Sequence, residues 1–294
     1  MSTVSSASAL DTVRDRFNFS IEKFPLGGPD GLRTPWYGLF RSDNNDSVGF
    51  PVTSKYVPHT TDDVLALCEA ASTVFEGVGE ANCYFRDGHY VFIQPSVEQR
   101  KEVFGTADNV WPRLMISAGY DGKAFKASIG YYRDLCRNMH IIRAARETTV
   151  SIRHTSHLRS RMDELIGNFQ TLQGSWQNVG AMIDRMENNR VSMVNFLDAL
   201  YGKPDEASKR SMTEHRNRTE AIFRRLQNEV ARTGRDPIGS DFMVSGWMAF
   251  NAVQGYIQHE KTMKGRNKNA EGFNILRSLS DTVVQRAEAL ALAC

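Results

Sequence analysis

Residues 112–132, PRLMISAGYDGKAFKASIGYY, decide the fold. Two apolar-rich runs flank Asp121-Gly122, a pair suited to a type I′ turn because both central positions need positive φ. The same device recurs at Asp87-Gly88, which joins ANCYFR to HYVFIQ. A third hairpin is read upstream, where WYGLFRS and VGFPVTSKYV flank the turn-prone run Asp43-Asn44-Asn45-Asp46. Between these hairpins Thr61 or Asp62 caps a helix with Val64, Leu67, Cys68, Ala71, Val74 and Phe75 on one face, ended by Gly77. A short polar helix around SVEQRKEVF links the two Asp-Gly hairpins. Residues 1–35, punctuated by Pro25, Gly27, Gly28, Pro29, Gly31 and Pro35, read as a poorly ordered arm with at most one helical turn.

Past residue 155 the period changes. Leu158, Met162, Leu165, Phe169, Leu172, Trp176, Val179, Ile183 and Met186 alternate spacings of four and three, a heptad seam on a long helix. Gly167, Gly174 and Gly180 each weaken that helix by about 1 kcal/mol relative to Ala, so it needs a packing partner, in the same chain or in another subunit. Further helices are expected near 191–201, 206–232, 241–262 and 273–293. The fold class is therefore α+β: antiparallel β-hairpins with one helix, then an all-helical C-terminal half. The domains expected are an arm at 1–35, an α+β nucleic-acid-binding domain at 36–155 and a helical domain with an oligomerisation helix at 156–294.

Composition bounds the function. The 294 residues are 41% apolar and 24% charged, typical of a globular protein. No stretch approaches the roughly 18 consecutive apolar residues of a membrane span, and the N-terminal sequence has no secretory pattern. Cys68, Cys83, Cys136 and Cys294 are scattered, with no C-x-x-C pair, as expected of reduced thiols in the cytoplasm, which is the host's if the chain is phage-encoded.

Catalytic and cofactor motifs are missing from the sequence. There is no G-x-x-x-x-G-K-[ST] loop and no Rossmann fingerprint. His154 and His157 share a helical spacing but lack a third ligand, and Arg153, Arg159 and Arg161 would repel a cation. Asp62-Asp63 sits at a helix start, where the dipole favours acids. The expectation is a protein that is not an enzyme, with no cofactor and no metal.

The charge distribution is more telling than its total of +2. From Trp111 to Arg161 ten Lys and Arg face three acids, while residues 1–110 carry 9 basic against 15 acidic side chains. Eight of those ten cations are Arg, which grips phosphate through two parallel bonds and also stacks on bases. Such a run is often only a solvated face. Here strand alternation can align cations with Tyr120 and Phe125, and Trp111, Tyr131 and Tyr132 lie nearby, a mixture suited to exposed single strands. The residues expected at the interface are Arg113, Tyr120, Lys123, Phe125, Lys126, Arg133, Arg137, Arg143, Arg146 and Arg153. The loop cations Lys264, Arg266 and Lys268 extend the track.

GWMAFNAVQGYIQH resembles the C-terminal signature of a phage/plasmid-like family of unknown function, W-x-x-x-N-A with a His eight residues after the Asn. Here these are Trp247, Asn251, Ala252 and His259. The family's R-x-x-C-x-N element is similar to Arg133, Cys136 and Asn138, its hairpin turn to Asp121-Gly122 and its H-T pair to His154-Thr155, over roughly residues 110–262. Where the family often carries Thr-Glu and an Asp after N-A, this chain has Gln254-Gly255 and Gln258, which argues against carboxylate chemistry on that helix.

The hairpin–hairpin–helix front is also similar to single-strand annealing proteins of the RecT/Redβ type. The chain further resembles podoviral single-stranded-DNA-binding transcription cofactors. That resemblance implies a phage-type single-stranded-DNA-binding protein with little sequence preference, a homo-oligomer with no membrane association. It would act in viral replication or recombination, or with a phage RNA polymerase. The alternatives are a single-strand annealing protein and an oligomeric scaffold that binds no nucleic acid.

Overall fold

In the computed structural model the chain divides into two units. The residues described are 6–74, 77–85, 88–95, 100–103, 108–120, 125–142, 149–152, 163–164, 166–239, 242–261, 274–275 and 278–293. The first unit comprises residues 1–99, 112–130 and 147–176, and the second comprises 100–111, 131–146 and 177–294. Each unit takes its residues from several stretches of the chain, and two long strands, Asn109–Gly119 and Phe125–Arg133, each contribute residues to both.

The first unit opens with helix α1 (Ser6–Arg16) and strand β1 (Ile21–Gly27), so residues 6–35 are not the arm expected from their Gly and Pro content. Proline is tolerated because β1 is an edge strand, where a missing N–H costs no ladder bond. Strands β2 (Arg33–Arg41) and β3 (Ser47–Thr53) complete a three-stranded antiparallel sheet around the Asp43–Asp46 turn. Gly49 in β3 has φ +65, and any Cβ there would lie 2.0 Å from the Tyr120 carbonyl oxygen. Helix α2 (Thr61–Val74) begins with a reciprocal cap one residue earlier than expected. Thr60 Oγ1 accepts from Asp63 N (3.2 Å), and Asp63 Oδ2 accepts from Thr60 N (2.7 Å).

The larger sheet of this unit has the expected strands but not the expected two-residue turn at Asp87-Gly88: Phe85 pairs with His89, three residues separate them, and Gly88 already lies in the second strand without positive φ. Strands β4 (Val78–Phe85) and β5 (Gly88–Pro95) pair in register Phe85↔His89. A two-residue strand β6 (Lys101–Glu102) stands where a polar helix was expected. Then come β7 (Asn109–Gly119), β8 (Phe125–Arg133), β9 (Asn138–His140) and β10 (Thr149–Ile152). In the first unit the order is β10-β8-β7-β5-β4. Asp87 and the Asp121-Gly122 turn lie outside the described residues. Val13, Phe17, Leu67, Cys68, Leu114, Ile116, Phe125, Ala127 and Ile129 fill the core with Phe169 and Leu172.

In the second unit β6 pairs with the start of β7 and β9 with the end of β8. Helix α3 (Phe169–Asn188) carries the heptad seam. Its residues Phe169, Leu172, Val179, Ile183 and Met186 are fully buried within this single chain, so that face is not open to another subunit. Leu158, Met162 and Leu165 lie outside the described residues. Strand β11 (Arg190–Ser192) pairs with β12 (Met243–Ser245), a ribbon inside the half expected to be all-helical. Helices α4 (Met193–Tyr201), α5 (Lys209–Thr233), α6 (Gly246–Gly255) and α7 (Thr282–Leu292) complete the unit, and a π turn (Tyr256–Glu260) continues α6. No helix among the described residues is long and apolar enough to cross a membrane.

A pair of buried histidines locks the first unit. His59 Nε2 and His89 Nδ1 are 2.9 Å apart, and the Tyr120 ring stacks on His59 at 4.2 Å. Burial, with Arg41 nearby, pulls His89 down to about 3. Unfolded histidine titrates near 6.5, so between those values the unfolded chain binds the extra proton and stability falls as pH is lowered. The expected slope from this group is about 1.4 kcal/mol per pH unit. His89→Phe, which keeps the aromatic packing, is expected to show a shallower loss of urea midpoint from pH 7 to 5 than the parent. Identical slopes would remove His89 as the cause.

Candidate functional site

The sequence places Arg133 at the last residue of β8, and the structure buries it completely. Its guanidinium meets two carboxylates: Nε and Nη2 donate to Asp108 (2.7 Å each), and Nη1 lies 2.8 Å from Glu229 Oε2 on α5. Burial opposes the Arg133 charge, and Glu229 and Asp108 more than restore it, so its pKa moves further up. Glu229 is pushed upward by the same burial, against the pull of Arg133. Trp247 Nε1 donates to Asp108 (3.3 Å), and the Arg133 guanidinium sits 5.3 Å from the Trp247 ring centre.

The other motif residues converge on the same place. Asn138 Nδ2 donates to the Asn251 carbonyl (3.0 Å) and side-chain oxygen (3.1 Å), while Asn251 Nδ2 donates to Trp247 O (2.9 Å). Cys136 Sγ lies 3.7 Å from Arg133 Nη1 and 3.9 Å from Asn251 Oδ1, and burial pushes its thiol up to about 12. Gln254 and Gln258 serve the open edge of β9. Both amides donate to Met139 O (2.8 and 2.6 Å), and Gln258 Oε1 accepts from Met139 N (3.2 Å). A carboxylate cannot donate, so the glutamines at these two positions satisfy a strand edge that Glu or Asp would leave wanting. Gly255 sits between them because a Cβ there would approach Arg225 Nη1 to 2.8 Å and Asn138 Oδ1 to 3.2 Å.

Beside this network opens a polar cavity of about 460 Å³. Its walls are the Asp134–Arg137 turn between β8 and β9, with Arg225, Asn228, Glu229 and Arg232 of α5 and Glu260 of the π turn. Arg225 pairs with Glu260 (2.6 Å), Asp134 accepts from Trp111 Nε1 (2.6 Å), and Arg232 donates to Leu135 O. Arg137 adopts a left-handed backbone (φ 57), closed by its N–H to Arg133 O (2.8 Å). Its exposed guanidinium has no hydrogen-bond or ion-pair partner among the described residues.

These residues lie inside residues 51–290, which match a family described as a domain of unknown function, DUF932. The chain belongs to the DUF932 family. Comparison with curated proteins and with solved structures returns no match. In this DUF932 chain the R-x-x-C-x-N and W-x-x-x-N-A elements are one buried hydrogen-bonded assembly, although they are more than 100 residues apart.

The sequence-derived interface fares unevenly. Tyr120, Phe125 and Arg133 are fully buried, and Arg113 is 1% exposed with Nη2 donating to Asn82 (3.0 Å). Rings and guanidiniums so enclosed cannot stack on bases or grip phosphates. Tyr131, the further stacking candidate, is also buried, its hydroxyl donating to Gln254 Oε1 (3.1 Å). Lys126 and Arg137 are exposed. Lys123, Arg143, Arg146, Arg153, Lys264, Arg266 and Lys268 lie outside the described residues. No group of three or more His, Cys, Asp or Glu among the described residues is placed to hold a metal ion.

Sequence reading missed the exposed face of α5. Ile222, Leu226 and Glu229 are its buried side, whereas Arg216, Glu220, Arg224, Asn228 and Arg232 form an exposed i,i+4 row. At 1.5 Å per residue this row runs about 24 Å and ends in the cavity wall. The signal was there: seven Lys and Arg against three acids within the helix.

Removing the central cation leaves two acids buried without their partner, and such a loss costs about 3–5 kcal/mol. Arg133→Met is therefore expected to lower unfolding stability by that amount in a denaturant titration. Adding Glu229→Gln to it should recover part of the loss. A near-neutral Arg133→Met would show that the cluster is not what holds these elements together.

Proposed function

We propose that this protein binds single-stranded nucleic acid, without strong sequence preference, along the exposed arginine row of α5. The observation that carries the reading is the row itself, with Arg216, Arg224 and Arg232 presented together on the solvent side of one helix. The second unit as a whole supports it, with 23 Lys and Arg against 17 Asp and Glu, whereas the first unit has 13 against 17. The acids on this face do not block it. Arg216 and Glu220 are 3.9 Å apart and both largely exposed, and such surface pairs yield readily to a competing phosphate.

The motif resemblance to phage single-stranded-DNA-binding cofactors gives the class of strand, as analogy only. It also supplies the working setting of viral replication or recombination, or of transcription alongside a phage polymerase. Binding here is chiefly electrostatic, because the rings first chosen for stacking are enclosed. Arginine contributes both phosphate pairing and stacking of its guanidinium plane.

A fluorescent poly-dT titration at several salt concentrations tests this. Neutralising three arginines in the triple variant Arg216→Gln, Arg224→Gln, Arg232→Gln is expected to weaken binding and to flatten the log–log salt slope by about 2. Gln keeps helix propensity close to that of Arg, so α5 should persist. Unchanged binding in that variant, or equal affinity for duplex, would overturn the reading. Accelerated pairing of complementary oligonucleotides would instead assign the chain to the annealing class.

A further inference from the structure

Resting on that reading, we infer that the cavity at the end of α5 holds a terminal nucleotide through its phosphate monoester, with Arg137 and Arg232 as the anion-binding pair. The cavity is far larger than a phosphate alone, and at about 460 Å³ it falls within the range of small-ligand pockets. Among the described residues its lining contains no aromatic ring, and Leu135 is the one purely aliphatic side chain there. An apolar or stacked ligand therefore finds little there.

The charges in the wall are unequally committed. Glu260 is taken by Arg225 (2.6 Å), and Glu229 is held 2.8 Å from buried Arg133. Asp134 accepts from Trp111 Nε1 and is the acid in the wall with no cation partner among the described residues. Against it stand two guanidiniums that meet no carboxylate among the described residues. Arg232 donates to the neutral carbonyl of Leu135, and Arg137 has no partner among the described residues.

Arg137 is also prearranged. The four-residue turn that carries it is clamped by the Arg133↔Asn138 strand pair and by the Arg137 N–H to Arg133 O bond. Asn138 is in turn fixed to Asn251. Holding a donor in place before binding lowers the cost of ordering it. A monoester at a strand end carries more charge than an internal diester and offers three oxygens, so a two-guanidinium site favours ends over internal positions. Asp134 and Asn228 remain as acceptor and donor for polar edges of the attached nucleoside.

The test compares one oligonucleotide sequence with a 5′-phosphate, a 3′-phosphate or hydroxyl ends, by competition against fluorescent poly-dT. One phosphorylated form is expected to bind about tenfold tighter than the hydroxyl form, the size of one charge-assisted contact. Arg137→Asn, chosen because Asn tolerates the left-handed backbone, is expected to bring all three forms to a common affinity. Arg224→Gln should weaken all three alike. Equal affinity for the three forms in the parent protein, or a preference that survives Arg137→Asn, overturns the pocket assignment while leaving strand binding intact. Failure of every form to bind overturns the reading beneath it as well.

Discussion

A guanidinium removed from water must be met by carboxylates, and meeting that demand organises much of the second unit. Arg133 ends β8, Asp108 precedes β7, and Glu229 lies on the buried side of α5, so one cation draws together two strands and a helix. Trp247 adds α6 by donating to Asp108. The residues after Arg133 inherit their positions from it. The turn to Asn138 is closed by a bond to the Arg133 carbonyl, and Asn138 then meets Asn251. Gln254 and Gln258 carry the same logic along β9 by satisfying the Met139 backbone. Polar groups buried so thoroughly contribute to the unit only while each keeps its partner.

The charge that drew attention in the sequence therefore has two fates. Some of it is structural: Arg133 is an internal tie, and Arg113 is held by Asn82 in the first unit. Among the described residues of that run, Lys126 and Arg137 are the exposed cations, and the arginine row of α5 is surface charge that the sequence reading did not single out. Local sequence density does not distinguish these fates, because burial is set by which residues arrive from elsewhere in the chain. Asp108 is 25 residues from Arg133 and Glu229 is 96 away, and neither carries a motif that announces the pairing.

Much of the fold was nonetheless legible. The strands of the larger sheet followed from their composition and alternation, although Gly88 belongs to β5 without the positive φ that a type I′ turn needs, and α4 and α5 end at Gly202 and Gly234, both with positive φ as their stop signals require. The heptad spacing identified α3, but spacing alone did not say that its apolar face would be covered within one chain. The N-terminal segment was misread because Pro and Gly also suit an edge strand. The β11–β12 ribbon escaped notice because three-residue strands leave almost no periodic trace. The candidate site was legible only as a motif set. Of the motif residues, Arg133, Cys136, Asn138, Trp247 and Asn251 do meet, yet as a framework beside a cavity rather than as the binding surface itself.

Arginine-selective modification with phenylglyoxal, mapped by mass spectrometry with and without poly-dT, tests this division of roles most directly. The expected result is that Arg137, Arg216, Arg224 and Arg232 react in the free protein and are protected by poly-dT, while Arg113 and Arg133 stay unreactive in both states. Reaction of Arg113 and Arg133 in the free protein, with protection by poly-dT, would contradict the account and return the interface to the strands.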